Sequence, residues 1–287
     1  MTDRRLLLTL RRKCPSPKSK FLRSTKAIAI PVTYMMLFAS TVAIISITYS
    51  LAIGRIAGRG ALVETAIATQ NMQALDDSLR SIAWSFGGSK VVYMDDCGGL
   101  FTGANAAQKL VISLTDGHGL NSIIFNNSVG EVSYDLQSSE SGNYGTYVRG
   151  DGQLISNKSQ YGMTQLYFTT SGETQNLVLR YRPFVNVAVV NGPENKPTNL
   201  IRVSILILSS FPNMRLSEQF RLRLTSVNVT MTLHQYEFNT TVTSLVLNAS
   251  FDEASGGVTL PIVSGSDGAV VNLEIAVCNL KLQKVEV

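Results

Sequence analysis

Side chains with the chemistry for catalysis are few in this sequence and widely spaced. The 287 residues include two histidines, His118 and His234, and three cysteines. No Cys/His cluster has the spacing of a zinc site, and the G-x-S-x-G, Walker and H-E-x-x-H motifs are absent. The sequence therefore predicts no catalytic residue, no metal ligand and no cofactor, and we interpret the protein as a non-enzyme.

Acidic residues in turns are the remaining candidates for chemistry. Asp95 and Asp96 precede a Cys-Gly-Gly sequence, and Asp151 stands between two glycines. Carboxylate oxygens in a loop are ligands that Ca²⁺ accepts, but a solvated turn is the simpler interpretation of both segments. The stretch Asp116-Gly-His118-Gly is interpreted as a turn in the same way.

An uncharged segment near the N-terminus indicates where in the cell the protein is located. No Asp, Glu, Lys or Arg occurs from Ala27 to Ile53. Because about 20 apolar residues cross the roughly 30 Å hydrocarbon core of a bilayer, this segment is long enough for a transmembrane helix with some tilt. A core helix of a soluble domain is the alternative, although such helices seldom run so far without a charge.

Charge is distributed unevenly on the two sides of this segment. Residues 1–26 carry nine Lys and Arg side chains against one acid, Asp3, which leaves 16 of the 25 basic and 19 of the 20 acidic residues in the rest of the chain. Lys and Arg that flank a span are retained in the cytoplasm, so we expect a cytoplasmic N-terminus and an extracytoplasmic bulk. The basic tail is expected to contact anionic lipid rather than nucleic acid, since no nucleic-acid-binding motif accompanies it.

The fate of the apolar segment has three alternatives. An ordinary secretory signal has an apolar region of only about 7–15 residues, so an uncleaved anchor over residues 27–53 is favoured over removal. The third alternative is cleavage at Lys26-Ala27, on the cytoplasmic side of the apolar run. Cleavage there would leave the helix in the mature protein.

The helix is predicted to continue beyond the membrane as an amphipathic rod over residues 54–88, ended by Gly87-Gly88. Apolar side chains recur there at steps of three and four, which places them on one helical face. We expect the upper part of this stripe to pack against the chain's own sheet or to form an assembly face for another subunit, because leaving it exposed forfeits its burial energy. The residues of that upper part are Met72, Leu75, Leu79, Ile82 and Phe86.

Beyond residue 88, short apolar runs alternate with clusters of turn residues, as strands do. Phe220, Leu222 and Leu224 alternate with two arginines, and Val227–His234 alternates similarly, so each strand should have one buried and one wet face. Leu200–Leu208 is apolar on both faces except at Arg202 and Ser204, and suits a central strand. About a dozen such runs predict a mainly β fold after the N-terminal helix, with a β-sandwich or jelly-roll-like domain over residues 89–287. Two smaller sandwiches divided near residues 191–197 are the alternative.

The order of these segments resembles the type IV pilin-like class, and particularly its archaeal single-pass envelope proteins. The resemblance lies in Lys26-Ala27, in the run Ile28–Ile53 and in the stripe Ala61–Phe86, and so covers only the N-terminal third of the chain. Bacterial members usually carry Glu shortly after the cleavage site, where Val32 stands here; archaeal members are more tolerant. The resemblance implies processing at Lys26-Ala27, a cell-surface location and assembly of a homo-oligomer or filament through the N-terminal helix.

Covalent modifications follow from an extracytoplasmic location. Cys97 and Cys278 could form a disulfide there, which would close a long loop, and two unpaired buried cysteines are the alternative. In an archaeal or eukaryotic host the N-x-S/T sequons are candidate glycosylation sites. They begin at Asn126, Asn157, Asn228, Asn239 and Asn248.

Two classes of function remain open from the sequence. One is a non-enzymatic membrane-anchored surface protein that presents its β domain for filament assembly, envelope structure or adhesion. The other is a membrane-tethered binding module for a sugar, a solute or a signal. Exposed aromatic side chains grouped in one groove would favour the binding module.

Overall fold

The structure is a computed structural model that describes residues 25–116, 119–137, 145–157, 162–171, 174–190, 192, 195–209, 214–252 and 254–285. The basic tail up to residue 24 and His118 lie outside these residues, and Lys26 and Ala27 are described as helical backbone only. The chain is mainly β with one long N-terminal helix, which confirms the predicted fold class. It divides into two compact units, Met1–Ile56 and Ala57–Val287.

Helix α1 (Thr25–Ile82) is uninterrupted, but its two parts have different surroundings. None of the residues in its most apolar 18-residue stretch is buried, and the helix is long and apolar enough there to cross a membrane. In the second unit, by contrast, Ala68, Met72, Leu75 and Leu79 are completely buried. The first part is therefore a candidate membrane span by its length and composition, and the second part is a core element of the β domain.

Thirteen strands follow among the described residues. They are β1 (Ser89–Met94), β2 (Leu100–Thr115), β3 (Asn121–Gln137), β4 (Tyr147–Arg149), β5 (Thr164–Ser171), β6 (Thr174–Tyr181), β7 (Phe184–Val190), β8 (Thr198–Ser209), β9 (Met214–Leu216), β10 (Phe220–Phe238), β11 (Ser244–Phe251), β12 (Ala254–Pro261) and β13 (Ala269–Lys284).

The smaller sheet has five strands in the order β1-β10-β13-β8-β7. Neighbours are antiparallel except for β13 and β8, which are parallel. Strand β8 thus has a partner on each side, as its mostly apolar sequence predicted. Strand β10 contains a bulge, because its register against β13 shifts between Ser226 and Asn228.

The larger sheet has eight strands, in the order β12-β11-β2-β3-β6-β5-β4, with β9 beside the start of β2. Its neighbouring strands are antiparallel. The sequence pattern did not predict strand β12, which contains two consecutive glycines, a residue type that is depleted in strands. The runs Ser122–Phe125 and Val129–Leu136, predicted as separate strands, are parts of the single strand β3.

Two apolar cores lie between these elements. One core joins β7, β8 and β13 of the smaller sheet to β2 and β11 of the larger sheet. The other core surrounds the end of α1 with β8, β10 and β13 on one side and β3, β5 and β6 on the other. The larger sheet curls so that it contributes to both cores, and β8 supplies Ile205 to the first and Leu206 to the second.

The predicted stripe on α1 is buried inside the chain's own fold, with one exception. Met72, Leu75, Leu79 and Ile82 belong to the helix-containing core, so these four residues do not form an assembly face. Phe86 is 77% exposed, contrary to the prediction. The helix ends at Ile82 and tight turns follow, so the helical spacing no longer applies when the chain reaches Phe86.

Two boundaries considered from the sequence do not coincide with a division of the structure. The rod over residues 54–88 is not separate from the β domain of residues 89–287, because both belong to one compact unit from Ala57 onward. Residues 191–197 do not divide the β domain, because they join β7 and β8, which are antiparallel neighbours in one sheet. The second half of β10 also differs from prediction, since Met231 and Leu233 are 63% and 65% exposed. The helix-containing core reaches along β10 only to Val229.

Candidate functional site: a groove beside the helix–sheet polar network

A buried carboxylate connects α1 to the larger sheet. The Asp76 side chain is completely buried among the apolar residues of the helix. Thr164 Oγ1 and Tyr181 Oη each donate a hydrogen bond to Asp76 Oδ1 at 2.8 Å, and Arg149 Nη1 donates to Oδ2 at 2.8 Å. These three donors compensate the cost of removing the charge from water. The network therefore holds the helix in one position against β4, β5 and β6.

The next residue, Asp77, extends this network to the surface. Arg149 donates to both of its carboxylate oxygens, at 2.5 and 3.0 Å, in a bidentate pair. These hydrogen bonds lower the pKa of Asp77 and raise the pKa of Arg149. Burial raises the pKa of Tyr181, which keeps its hydroxyl protonated as a donor to Asp76. Asp77 thus remains a charged, solvent-facing group at the rim of the adjacent groove.

A groove of about 610 Å³ opens beside this network, at the C-terminal end of α1. Asp77 lies on its rim, Trp84 and Phe184 provide aromatic surfaces, and Ser81 and Ser204 provide hydroxyl groups. Trp84, the single tryptophan of the chain, is 45% exposed. Aromatic faces beside a few polar groups are the composition of sites that hold small organic ligands. The groove is therefore the strongest candidate for a binding site among the described residues.

A second buried arginine shapes one wall of the groove. Arg182 is 2% exposed, and its Nε donates to the carbonyl of Gly162 at 2.8 Å. Its Nη1 donates to the carboxylate of Asp151 and to the carbonyl of Gln153. These bonds fix the segment that carries Gly162 and Met163, both of which line the groove. Asp151 is thus committed to an ion pair, which argues against its interpretation as a calcium ligand.

The other acidic turn is fixed by hydrogen bonds within the protein. Asn71 Nδ2 donates to the Asp95 carbonyl at 2.8 Å, and the Gly98 amide donates to Asp96 Oδ1 at 2.9 Å. The described residues contain no group of three or more His, Cys, Asp and Glu side chains that could hold a metal ion. His234 lies exposed on β10, outside the groove.

Of the two alternatives for Cys97 and Cys278, the structure has the unpaired one, because both are free, buried thiols. Cys278 lies in β13, where its thiol donates to the Ala83 carbonyl and lies 3.6 Å from Ser226 Oγ. Burial raises the pKa of both thiols. Each cysteine therefore acts as a small apolar residue of the helix-containing core, and Cys278 helps to close the end of α1.

The sequons lie on strands and loops of the β domain. The asparagines of four sequons are exposed and the fifth is half-buried, so the first four present their side-chain amides to solvent. The exposed residues are Asn126, Asn157, Asn228 and Asn239, and the half-buried one is Asn248.

Sequence reasoning missed the residues that build this site. Arg149, Thr164 and Tyr181 come from three strands, and no sequence motif links them to Asp76. One signal was present: Asp76 follows Met72 by four residues and precedes Leu79 by three, so helical spacing places it on the buried face.

No protein-family model, no curated protein and no solved structure matches this chain. The fold by itself defines its class: a mainly β protein whose long N-terminal helix is apolar enough to span a membrane.

Proposed function

We propose that this protein is a non-enzymatic, single-pass membrane protein of type IV pilin-like architecture, as in archaeal envelopes, which presents its β domain outside the cell for filament assembly, envelope structure or adhesion. The observation that carries the proposal is the division within α1. Its first part exposes apolar residues, as a helix in lipid does, and its last part is a core element of the β domain. The anchor and the presented domain therefore share one helix.

The orientation in this proposal rests on charge. The nine basic residues of the N-terminal tail outnumber Arg55 and Arg59 on the other flank of the span, which favours a cytoplasmic tail. Assembly of a homo-oligomer or filament would use the exposed part of α1, where Leu62 and Val63 are more than half exposed. The buried stripe from Met72 to Ile82 is not available for it.

One experiment tests both topology and processing. Protease added to intact cells should digest the β domain and leave a membrane fragment that contains the apolar part of α1, because the bilayer protects that part. N-terminal sequencing of the fragment should give Ala27 or Ile28, the product of pilin-type cleavage after Lys26 or Ala27. A β domain that becomes sensitive only after lysis contradicts the orientation. A fragment that starts at Met1 supports a plain anchor and contradicts pilin-type processing.

The groove favours a second candidate function, a tethered module that binds a sugar or a related polar solute. Trp84 and Phe184 would stack on the apolar face of a pyranose ring, and Asp77, Ser81 and Ser204 would accept or donate hydrogen bonds at its hydroxyl groups.

Trp84 also provides the measurement, since it is the single tryptophan of the chain. Titration of the full chain in detergent with neutral hexoses should give a saturable change in its fluorescence. The change should disappear in Phe184→Ala and persist in the matched control Phe86→Ala, whose side chain is exposed and outside the groove. No saturable change at millimolar sugar, or an equal change in Phe184→Ala, would rule out a sugar site in this groove.

A further inference from the structure

The outer edge of strand β10 is open along its second half. Strand β1 covers the first half by pairing from Phe220 to Thr225, and the amide of Gly87 adds a bond to the Ser226 carbonyl. From Asn228 to Phe238, β13 is the single strand among the described residues that pairs with β10. One row of backbone N–H and C=O groups on this segment, the open edge of residues 227–238, therefore has none of the described strands beside it. Such a row is a template for another strand.

From residue 227 to residue 236 this open edge lacks the features that usually prevent pairing, and Glu237, which is ion-paired with Lys196, is the charged residue at its end. Charged residues, especially Lys, and prolines keep most edge strands apart. No Lys, Arg, Asp, Glu or Pro occurs between Arg223 and Glu237, and the segment is rich in the β-branched residues Val and Thr. The bulge lies at its beginning, between Ser226 and Asn228, and leaves the remaining residues in regular register.

The open edge also carries exposed apolar side chains on one face of the sheet. Met231 pairs with Ala276 and Leu233 pairs with Glu274, so each shares a face with its partner on β13. Helix α1 covers this face in the first half of β10, and the helix-containing core ends at Val229. Met231 and Leu233 are consequently about two-thirds exposed at the sheet edge, at 63% and 65%.

We propose that this open edge pairs with the same edge of a second copy of the chain, in antiparallel orientation, with the two-fold axis near Thr232. The ends of the open edge determine this register. Because the Ser226 backbone is already bonded to the turn after α1 and β10 ends at Phe238, an axis at Thr232 pairs residues 227–237 of the two copies, which is nearly the whole open edge.

The chemistry of the segment fits a second copy in this register. The pairing sets Met231 opposite Leu233 of the other copy, so four exposed apolar side chains cover one another on one face. Thr230 lies opposite His234 of the other copy on the other face, and each Glu237 lies opposite Val227, so no like charges oppose each other. An isologous contact of this kind closes on itself and yields a dimer. It does not depend on the proposed anchoring, since it uses only the β domain.

Cysteine scanning of the full chain in membranes tests the pairing. Single cysteines replace Asn228, Thr230, Thr232 and His234 in a Cys14→Ser background, and a mild oxidant links pairs that lie close together. In a two-fold antiparallel pair, each residue of displacement from the axis separates the two cysteines by about 6.8 Å, twice the rise of a strand. We expect disulfide-linked dimer to be maximal at Thr232→Cys and to fall on both sides. Val189→Cys, exposed on β7 at the opposite edge of the sheet, is the matched control and should not cross-link.

Charge on the open edge provides a second variant. Met231→Lys with Leu233→Lys should lower cross-linking at Thr232→Cys by about tenfold or more, because charged side chains on an edge oppose pairing. Both positions are exposed, so folding should be retained, and an unchanged Trp84 emission checks this. Val190→Lys on β7 is the control that should leave cross-linking unchanged.

Three results would overturn the proposal. The first is a yield of cross-linked dimer at the four scanned positions that is no higher than the yield at Val189→Cys, or that shows no maximum at any position. The second is cross-linking that occurs only when Thr232→Cys and Val189→Cys are both present. This result indicates that the open edge of β10 pairs with β7 of another copy, which extends the sheet head to tail. The third is cross-linking that appears only after Asn228→Gln, which would mean that a glycan covers the edge in the native chain.

Discussion

Replacement of Asp76 by alanine is expected to lower the free energy of unfolding of the β domain by about 3–5 kcal/mol, the usual cost of removing one partner of a buried ion pair. The substitution leaves the guanidinium of Arg149 and the hydroxyls of Thr164 and Tyr181 without their shared acceptor. Unsatisfied buried donors carry their full desolvation cost. Urea unfolding of the full chain in detergent, followed by Trp84 fluorescence, measures the change.

The neighbouring carboxylate is the matched control for this prediction. Asp77 bonds the same Arg149, but its side chain is 59% exposed. Exposed ion pairs contribute little, so Asp77→Ala should cost about 1 kcal/mol or less. The contrary result is a loss of unfolding free energy that is equal for the two variants, or a loss of only about 1 kcal/mol for Asp76→Ala. Either result would show that the network does not hold α1 against the sheet.

Aspartate at Leu79 is expected to unfold the β domain. The change removes a completely buried leucine, worth about 2–5 kcal/mol on truncation, and places an unpaired carboxylate in the core at a cost of several kcal/mol more. The sum is comparable with the entire stability of a typical domain, about 5–15 kcal/mol. Leu75→Asp should behave in the same way. Limited proteolysis of membranes that contain each variant should show rapid loss of the β domain.

Ala74→Asp is the control on the same helix, since Ala74 is exposed beside Leu75. It should cost only the difference in helix propensity, about 0.7 kcal/mol or less, and leave the domain resistant to protease. A Leu79→Asp variant that folds normally but fails to assemble with other subunits would contradict the structure. It would mean that the stripe faces another chain rather than the protein's own sheets.

The sequence alone determined the features that depend on local periodicity. An uncharged run from Ala27 to Ile53 predicted a helix long and apolar enough to span a membrane, and steps of three and four predicted that Met72 to Ile82 would be buried. Alternation predicted the buried and wet faces of Phe220–Thr225, and a strand apolar on both faces predicted that β8 would be internal. These predictions succeeded because a helix or strand sets the direction of each side chain within a few residues.

The tertiary structure decided which of those faces is covered, and by what. Met231 and Leu233 continue the apolar pattern of β10 but are exposed, because the helix that covers Leu222 and Leu224 does not extend that far. The same contacts leave Cys97 and Cys278 as separate thiols and surround Asp76 with donors from three distant strands. The periodicity of the sequence specifies that a face is apolar, but the residues that pack against that face come from segments distant in the chain. The groove beside Trp84 exists for that reason, since α1 ends before it covers the whole face of the smaller sheet.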